Sequence, residues 1–215
     1  MSGVEQAARR DSFQPARLSY IEVGVSQAPD LLQFPPNDAV PFFEQVQIGQ
    51  GVDRFNSALE QLMTWEAHRA AGYVVTEESA GESPSVRGGE AVYSAQGESF
   101  LRRGARVLLT PDDNNSARRF EVVRVLEGAQ LEQLEQERQV VERGGMILGT
   151  ADEGDTTGEV ALSVELREDE TVWALTRGFW HVHATGFLGL GKQQTADRAT
   201  TALKRVLKTL QPTGE

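Results

Sequence analysis

Two alternating runs near the C-terminal end of the chain constrain the fold most strongly. In residues 160–166 apolar side chains alternate with small or polar ones, and residues 171–180 show the same period of two. This spacing predicts two half-buried strands, and the polar residues 167–170 between them predict a hairpin turn. The interior face of the second strand is predicted to carry Trp173, Leu175, Arg177 and Phe179.

Two longer segments have helical periodicity. Apolar residues recur every three or four positions in residues 52–71 and again in residues 194–210. Gly72 follows the first segment and Pro212 follows the second, and both residue types are typical of helix ends. Trp65 lies at the edge of the first apolar stripe, where it either packs in the core or forms part of a ligand wall.

Short apolar runs separated by glycine, proline and asparagine predict further strands, at residues 42–48, 73–76, 91–93, 106–110 and 119–126. Consecutive strands joined by short turns favour an antiparallel sheet with the helices on one face. We therefore predict an α+β domain over residues 18–211, in which a curved antiparallel sheet wraps around the long C-terminal helix.

Three parts of the chain are less regular. Residues 1–17 have no periodicity and are predicted to form a flexible arm, and the polar composition near residues 77–105 predicts an insertion. Residues 129–142 fit either a short helix followed by a strand or one arm of a hairpin. The glycine-rich residues 186–191 lack the Lys-Ser/Thr ending of a phosphate-binding loop, because Gln193 follows Lys192, so they are predicted to be a connecting loop or a gate.

Composition excludes several classes of function. The net charge of −11 disfavours nucleic-acid binding, and the absence of cysteine excludes disulfides and thiolate metal sites. The longest apolar runs are far shorter than the roughly 20 residues that a membrane-spanning helix needs. Residues 1–10 contain no apolar stretch typical of a secretory signal, so we expect a cytoplasmic protein with no membrane span.

Scattered positions resemble a known family. They are the segments LSYIEVG at 18–24, VQIGQG at 46–51 and ALEQLMTW at 58–65, together with Phe55, His68, Gly149-Thr150, GEVA at 158–161, Val172-Trp173 and Arg177-Gly178-Phe179. Together they are similar to a bacterial and plant family known as uncharacterised protein family 0548. The resemblance spans roughly residues 18–210. It implies the START-like helix-grip fold, with a cavity between the sheet and the C-terminal helix, and it implies no substrate.

The chain departs from that family's pattern at two places. Residues 151–155 read ADEGD where the family has a Pro-Gly-His turn, and Trp180-His181-Val182 replaces Ser-Arg-Pro. The pair His181 and His183 has the alternation of a strand-borne metal site. A third ligand could be His68 or an acid such as Asp152 or Glu159, but none of them has a matching spacing. We therefore predict no metal and no cofactor. No catalytic constellation stands out, so an enzymatic role has no support from the sequence.

The predicted function is binding or carriage of a hydrophobic or amphipathic small molecule. Arg177 is the polar residue of the predicted interior face, where it either pairs with an internal acid or orients an acidic ligand group. The alternative function is a structural or protein-interaction module with a filled core and an unknown partner. The residues predicted to line a ligand site are Trp65, Trp173, Leu175, Arg177 and Phe179.

Overall fold

The computed structural model describes residues 18–81, 97, 99–112, 116–126, 139–183 and 191–212. The predictions for residues 1–17, 91–93 and 186–190 lie outside these ranges, as do most of those for 77–105 and 129–142. The strands are β1 (Ala39–Gln50), β2 (Tyr73–Ala80), β3 (Ala105–Pro111), β4 (Arg118–Leu126), β5 (Val140–Thr150), β6 (Thr156–Arg167) and β7 (Thr171–Val182). The helices are α1 (Val52–Met63), α2 (Glu66–Ala70) and α3 (Gly191–Thr209).

The seven strands form one antiparallel sheet in the order β1-β7-β6-β5-β4-β3-β2. Strands β2 to β7 therefore follow one another up and down, while β1 pairs with β7 at the far edge. Helices α1 and α2 connect β1 to β2, and so cross between the two edges of the sheet. The hairpin predicted from residues 160–180 is confirmed, because β6 pairs with β7 through the turn at 168–170.

Bulges bend the sheet around its helices. The pairing register shifts between Gln47 and Gly49 in β1, and similar shifts occur in β2, β4 and β5. Such bulges bend a strand and increase its twist. Helix α3 packs against β7, β1 and β6, and α1 packs against β6, β5 and β1. The predicted architecture, a curved antiparallel sheet holding a C-terminal helix in the helix-grip arrangement, is confirmed.

The principal core lies between the inner face of the sheet and the helices. It contains Val107, Met146, Val160, Leu162 and Ala174 from the strands, and Phe55, Leu62, Val206 and Leu210 from the helical side. Helix α1 approaches β5 closely at Gly144, where a Cβ atom would lie only 2.6 Å from Cδ1 of Leu59. A larger residue at that position would push the helix away from the sheet.

The first predicted helix is interrupted. Instead of one helix over residues 52–71, α1 ends at Met63 and α2 begins at Glu66. Between them Trp65 adopts a left-handed conformation with φ of 65°, which is uncommon for a residue other than glycine. This turn buries the Trp65 side chain to 1% exposure. The second predicted helix is confirmed, and it starts three residues earlier than expected, at Gly191.

Residues 18–36 form an outer segment that covers the opposite face of β6 and β7. The buried Glu159 carboxylate accepts hydrogen bonds from the Tyr20 hydroxyl (2.9 Å) and from the backbone N–H groups of Gly24 (2.8 Å) and Ser26 (2.9 Å). The Arg177 guanidinium donates to the backbone carbonyl of Ala28 (2.6 Å). These bonds attach the outer segment to the sheet on the side away from α3.

The prediction of which face of β7 points into the interior is wrong. Val172, Ala174 and Trp180 face the helices, so Trp173, Leu175, Arg177 and Phe179 belong to the outer face. Phe179 packs there with Tyr20 and Leu31 of the outer segment, and Trp173 stacks under the Arg167 guanidinium. Both faces of β7 are apolar because both are covered, and alternation alone cannot distinguish two buried faces.

Candidate functional site

A cavity of about 470 Å³ lies between the inner face of the sheet and α3. Strands β2 to β7 all contribute to its wall, and the apolar side chains from β3 to β7 are Leu109, Phe120, Leu148, Val160 and Trp180. Helix α3 contributes Ala199, Ala202, Leu203 and Val206 on the other side. The two alanines are small residues at positions where the helix faces the sheet, and short side chains there leave the space open.

The apolar walls are held by ordinary core contacts. Trp180 stacks on Phe42 with ring centroids 5.5 Å apart, and its indole N–H donates to the Thr200 hydroxyl at 3.3 Å. Val160 and Leu148 are buried in the principal core. The hydrogen-bonding capacity of Trp180 is thus already used within the protein, and its ring offers an apolar surface to the cavity.

His68 is a buried polar residue of the cavity wall. It lies on α2 and is 2% exposed, and its ring contacts Trp65 edge-on at a centroid distance of 4.8 Å. Neither ring nitrogen has a hydrogen-bond partner among the described residues. Burial, aided by the neighbouring Arg69 charge, lowers the pKa of His68 from 6.5 to about 3. The imidazole is therefore neutral at physiological pH.

Charged residues surround the open side of the cavity. The exposed residues Arg198 and Arg205 are seven positions apart on α3, which places them on one face about two helical turns from each other. Arg118 also lines this side, and its guanidinium is held by Asp152 (3.1 Å) and Thr156. Glu153 and Asp155 complete the charged part of the lining.

The predicted ligand residues lie in three different places. Trp65 is buried beside His68 but does not itself line the cavity. Trp173, Leu175 and Phe179 are on the outer face of β7, away from the cavity. Arg177 is on the same outer face, where it donates to the backbone carbonyls of the outer segment. None of these five side chains lines the cavity, so the structure does not bring them together as one site.

The candidate histidine pair has other partners. The His181 ring pairs with the Glu22 carboxylate at 3.1 Å, and the His183 ring hydrogen-bonds the Thr157 hydroxyl at 2.8 Å. Across the described residues, no group of three or more histidine, aspartate or glutamate side chains is arranged to hold a metal ion. In the same part of the chain, no helix is long and apolar enough to cross a bilayer.

Most residues of the cavity were not identified from the sequence. The helical stripe through Ala196, Ala199, Leu203 and Val206 gave the correct inward face of α3. The sheet positions Leu109 and Phe120 were within predicted strands, but nothing indicated that the helix opposite them would leave space. His68 appeared in the sequence only within the family resemblance and as a conceivable metal ligand.

Comparisons with known proteins bear on which family the chain belongs to. A family model described as "Domain of unknown function (DUF1990)" matches residues 19–192. A search of curated proteins found no match. The hypothetical protein jhp0584 from Helicobacter pylori is 12% identical with a TM-score of 0.44, covering 83% of this chain and 91% of that one.

The ginseng major latex-like protein 151 from Panax ginseng is 10% identical with a TM-score of 0.45, covering 81% of this chain and 96% of that one. At these values neither likeness bears on what this chain binds.

Proposed function

The chain belongs to the family described as "Domain of unknown function (DUF1990)", and from its geometry we propose that it binds a small amphipathic molecule, as a carrier or a sensor. One observation supports this proposal above all, the cavity of about 470 Å³ between the sheet and α3. Ligand pockets typically measure about 300–1,000 Å³ and have mostly apolar walls with a few polar groups. A filled core, by contrast, contains few voids larger than a water molecule.

The distribution of polar groups indicates the kind of molecule. The inner walls are aromatic and aliphatic, so the ligand needs an apolar body of matching size. Arg198 and Arg205 offer positive charge at the exposed side of the cavity, although the chain as a whole has a net charge of −11. We infer that an acidic group on the ligand would be favoured there, and opposed by Glu153 and Asp155 if placed beside them.

Binding is a better description than catalysis for this site. A catalytic histidine needs a nucleophile or an orienting group within hydrogen-bond reach. His68 has no such partner among the described residues. Membership of uncharacterised protein family 0548 and a cytoplasmic location remain predictions from the sequence.

A second candidate function has its own observation. The outer segment exposes Ile21 at 89%, Phe34 at 70% and Val23 at 50%. Apolar side chains grouped on one surface segment are typical of a protein contact. They favour a protein-interaction role for the outer face. This role differs from the interaction module predicted from the sequence, because that module has a filled core and this chain has a cavity on its inner face.

Native mass spectrometry of the protein purified from its own host tests the main proposal. We expect a co-purifying small molecule with the wild-type chain, and its loss in the variant Ala202→Phe, whose added ring would occupy the cavity. The matched control is Thr201→Phe, which adds the same ring at the neighbouring exposed position of α3. If the wild type carries no small molecule, or if both variants retain it equally, the cavity is not the binding site.

A further inference from the structure

His68 is an exception to the rule that buried polar groups are hydrogen-bonded. Leaving a buried donor or acceptor unpaired is destabilising, because the group loses its hydrogen bonds to water and gains none within the protein. The ring is held in place by edge-on contacts with Trp65 at 4.8 Å and Tyr73 at 6.5 Å. It lines a cavity whose other wall residues from the sheet and α3 are mainly aliphatic or aromatic. A bound molecule is the natural source of the missing partner.

We propose that His68 anchors a neutral hydrogen-bonding group, a hydroxyl or a carbonyl, at the buried end of an otherwise apolar ligand. This inference rests on the proposed function, because it assumes that the cavity is occupied. It goes further by assigning one residue to the recognition and one chemical class to the ligand's inner end.

The charge state of the ring selects that class. A neutral imidazole has one N–H donor and one acceptor nitrogen, so it can bond to a hydroxyl in either direction or donate to a carbonyl. A carboxylate at the same point would be buried beside an uncharged ring that supplies no counter-charge, which is costly, and the neighbouring Arg69 guanidinium is already bonded to the Thr64 carbonyl and paired with Glu77. The positively charged residues Arg198 and Arg205 lie instead at the exposed side. An acidic group would therefore point outward and the neutral polar group inward.

The short helix α2 gives His68 a fixed position. The left-handed turn at Trp65 starts this helix, and the Arg69 guanidinium donates to the Thr64 carbonyl at 2.7 Å. The Thr209 hydroxyl at the end of α3 donates to the Ala67 carbonyl at 3.0 Å. Because neighbours on both sides are bonded to fixed elements, the imidazole is positioned before any ligand arrives, which lowers the entropic cost of binding.

Two probes of equal size test the anchor by isothermal titration calorimetry. They are 2-naphthol and 2-methylnaphthalene, which differ by a hydroxyl in place of a methyl group. We expect the ratio of their affinities in the wild type to fall about three- to tenfold in His68→Phe, the equivalent of one hydrogen bond. The variant His68→Gln, which keeps a donor and an acceptor, is expected to retain most of the ratio. His183→Phe, outside the cavity, is expected to leave it unchanged.

A second measurement uses only the wild type, so it remains informative if a variant fails to fold. With ¹⁵N-labelled histidine, the His68 ring resonances are expected to shift on adding 2-naphthol and to shift much less with 2-methylnaphthalene. If both probes bind but His68→Phe leaves their ratio unchanged and the resonances do not respond, the anchor is wrong while cavity binding stands. If neither probe binds the wild type, the proposed function fails, and the anchor fails with it.

Discussion

The two faces of the sheet differ in whether their polar groups are hydrogen-bonded. On the outer face the Glu159 carboxylate accepts three hydrogen bonds from the outer segment, and Arg177 donates to three of its backbone carbonyls. On the inner face both nitrogens of His68 have no partner among the described residues. The outer face is closed by the chain itself, whereas the inner face encloses open volume.

The difference separates structural residues from candidate binding residues. A buried charge is tolerated when it is hydrogen-bonded, and the buried Glu159 carboxylate accepts three hydrogen bonds while the half-buried Arg177 donates to three carbonyls. Burial and the nearby Glu159 carboxylate also raise the pKa of Tyr20 above its ordinary value, so this hydroxyl stays a hydrogen-bond donor. The Ser26 hydroxyl is unpartnered among the described residues, but a hydroxyl costs much less to bury than an ion. A buried charged residue is therefore not by itself a sign of a ligand.

The largest effect is expected from Glu159→Ala on the outer face. The change removes the acceptor of the Tyr20 hydroxyl and of the Gly24 and Ser26 N–H groups. We expect the free energy of unfolding to fall by about 3 kcal/mol. The loss is not expected to be larger, because the outer segment can detach while the rest of the fold stays intact. Urea denaturation measures the loss, and faster amide hydrogen exchange at Gly24 and Ser26 would locate it.

Two further observations decide whether this loss belongs to the outer face alone. The exposed acid Glu168 provides the matched control, and Glu168→Ala is expected to change stability by less than about 0.5 kcal/mol. Binding of 2-naphthol to Glu159→Ala is expected to stay within about twofold of wild type, because the cavity is on the other face. A large loss of probe binding would show that the two faces are coupled, and would contradict the separation of a structural outer face from a binding inner face.

The second effect concerns the acid stability of the inner face. The pKa of His68 is about 3 in the folded protein and 6.5 as an unperturbed side chain. Between these values the unfolded chain binds a proton that the folded chain does not, so stability falls as the pH falls below 6.5. The slope is about 1.4 kcal/mol per pH unit, which gives about 2 kcal/mol between pH 6.5 and pH 5.

Comparison with His68→Phe isolates this contribution. The carboxylates of the chain are common to both proteins, and so are the other charged or ionisable residues of the cavity lining, namely Tyr73, Glu153, Asp155, Arg118, Arg198 and Arg205. We expect the urea stability of the variant to fall less from about pH 6.5 to about pH 5 than that of the wild type, by about 2 kcal/mol. Equal pH dependence in the two proteins would mean that the ring gains solvent or a partner on protonation, and the inner face would no longer contrast with the outer one.

The architecture could be predicted from the sequence because the local patterns and the packing of the elements agree. The period of two in β6 and β7 and the helical stripe of α3 each present an apolar face that has to be buried, and an antiparallel sheet around one helix buries them together. The break at Trp65 was not predictable in this way. A left-handed tryptophan is locally unfavourable, and only its burial in the assembled core compensates for it.

The candidate site was less accessible to sequence reasoning. Phe179 and Leu175 are as apolar as Ala174 and Val172 on the opposite face, and nothing in the strand periodicity indicates that residues 18–36 cover the outer face. Only the folded chain shows which face meets α3. A cavity is also a difference between the volume enclosed and the volume filled, so it depends on distances between elements that no periodicity encodes.

The smallest effect is expected where a large residue enters the open volume. Overpacking a filled core typically costs about 1–3 kcal/mol, so Ala161→Phe on the sealed outer face, where Ala161 packs with Leu126 and Ile147, is expected to destabilise by that amount. Ala202→Phe places the same ring into the cavity and is expected to change the free energy of unfolding by less than about 0.5 kcal/mol, because the added contacts offset the lost side-chain entropy. Urea denaturation of ligand-free protein compares the two. Equal destabilisation would mean that the inner face packs as tightly as the outer one, and the cavity would then close in solution.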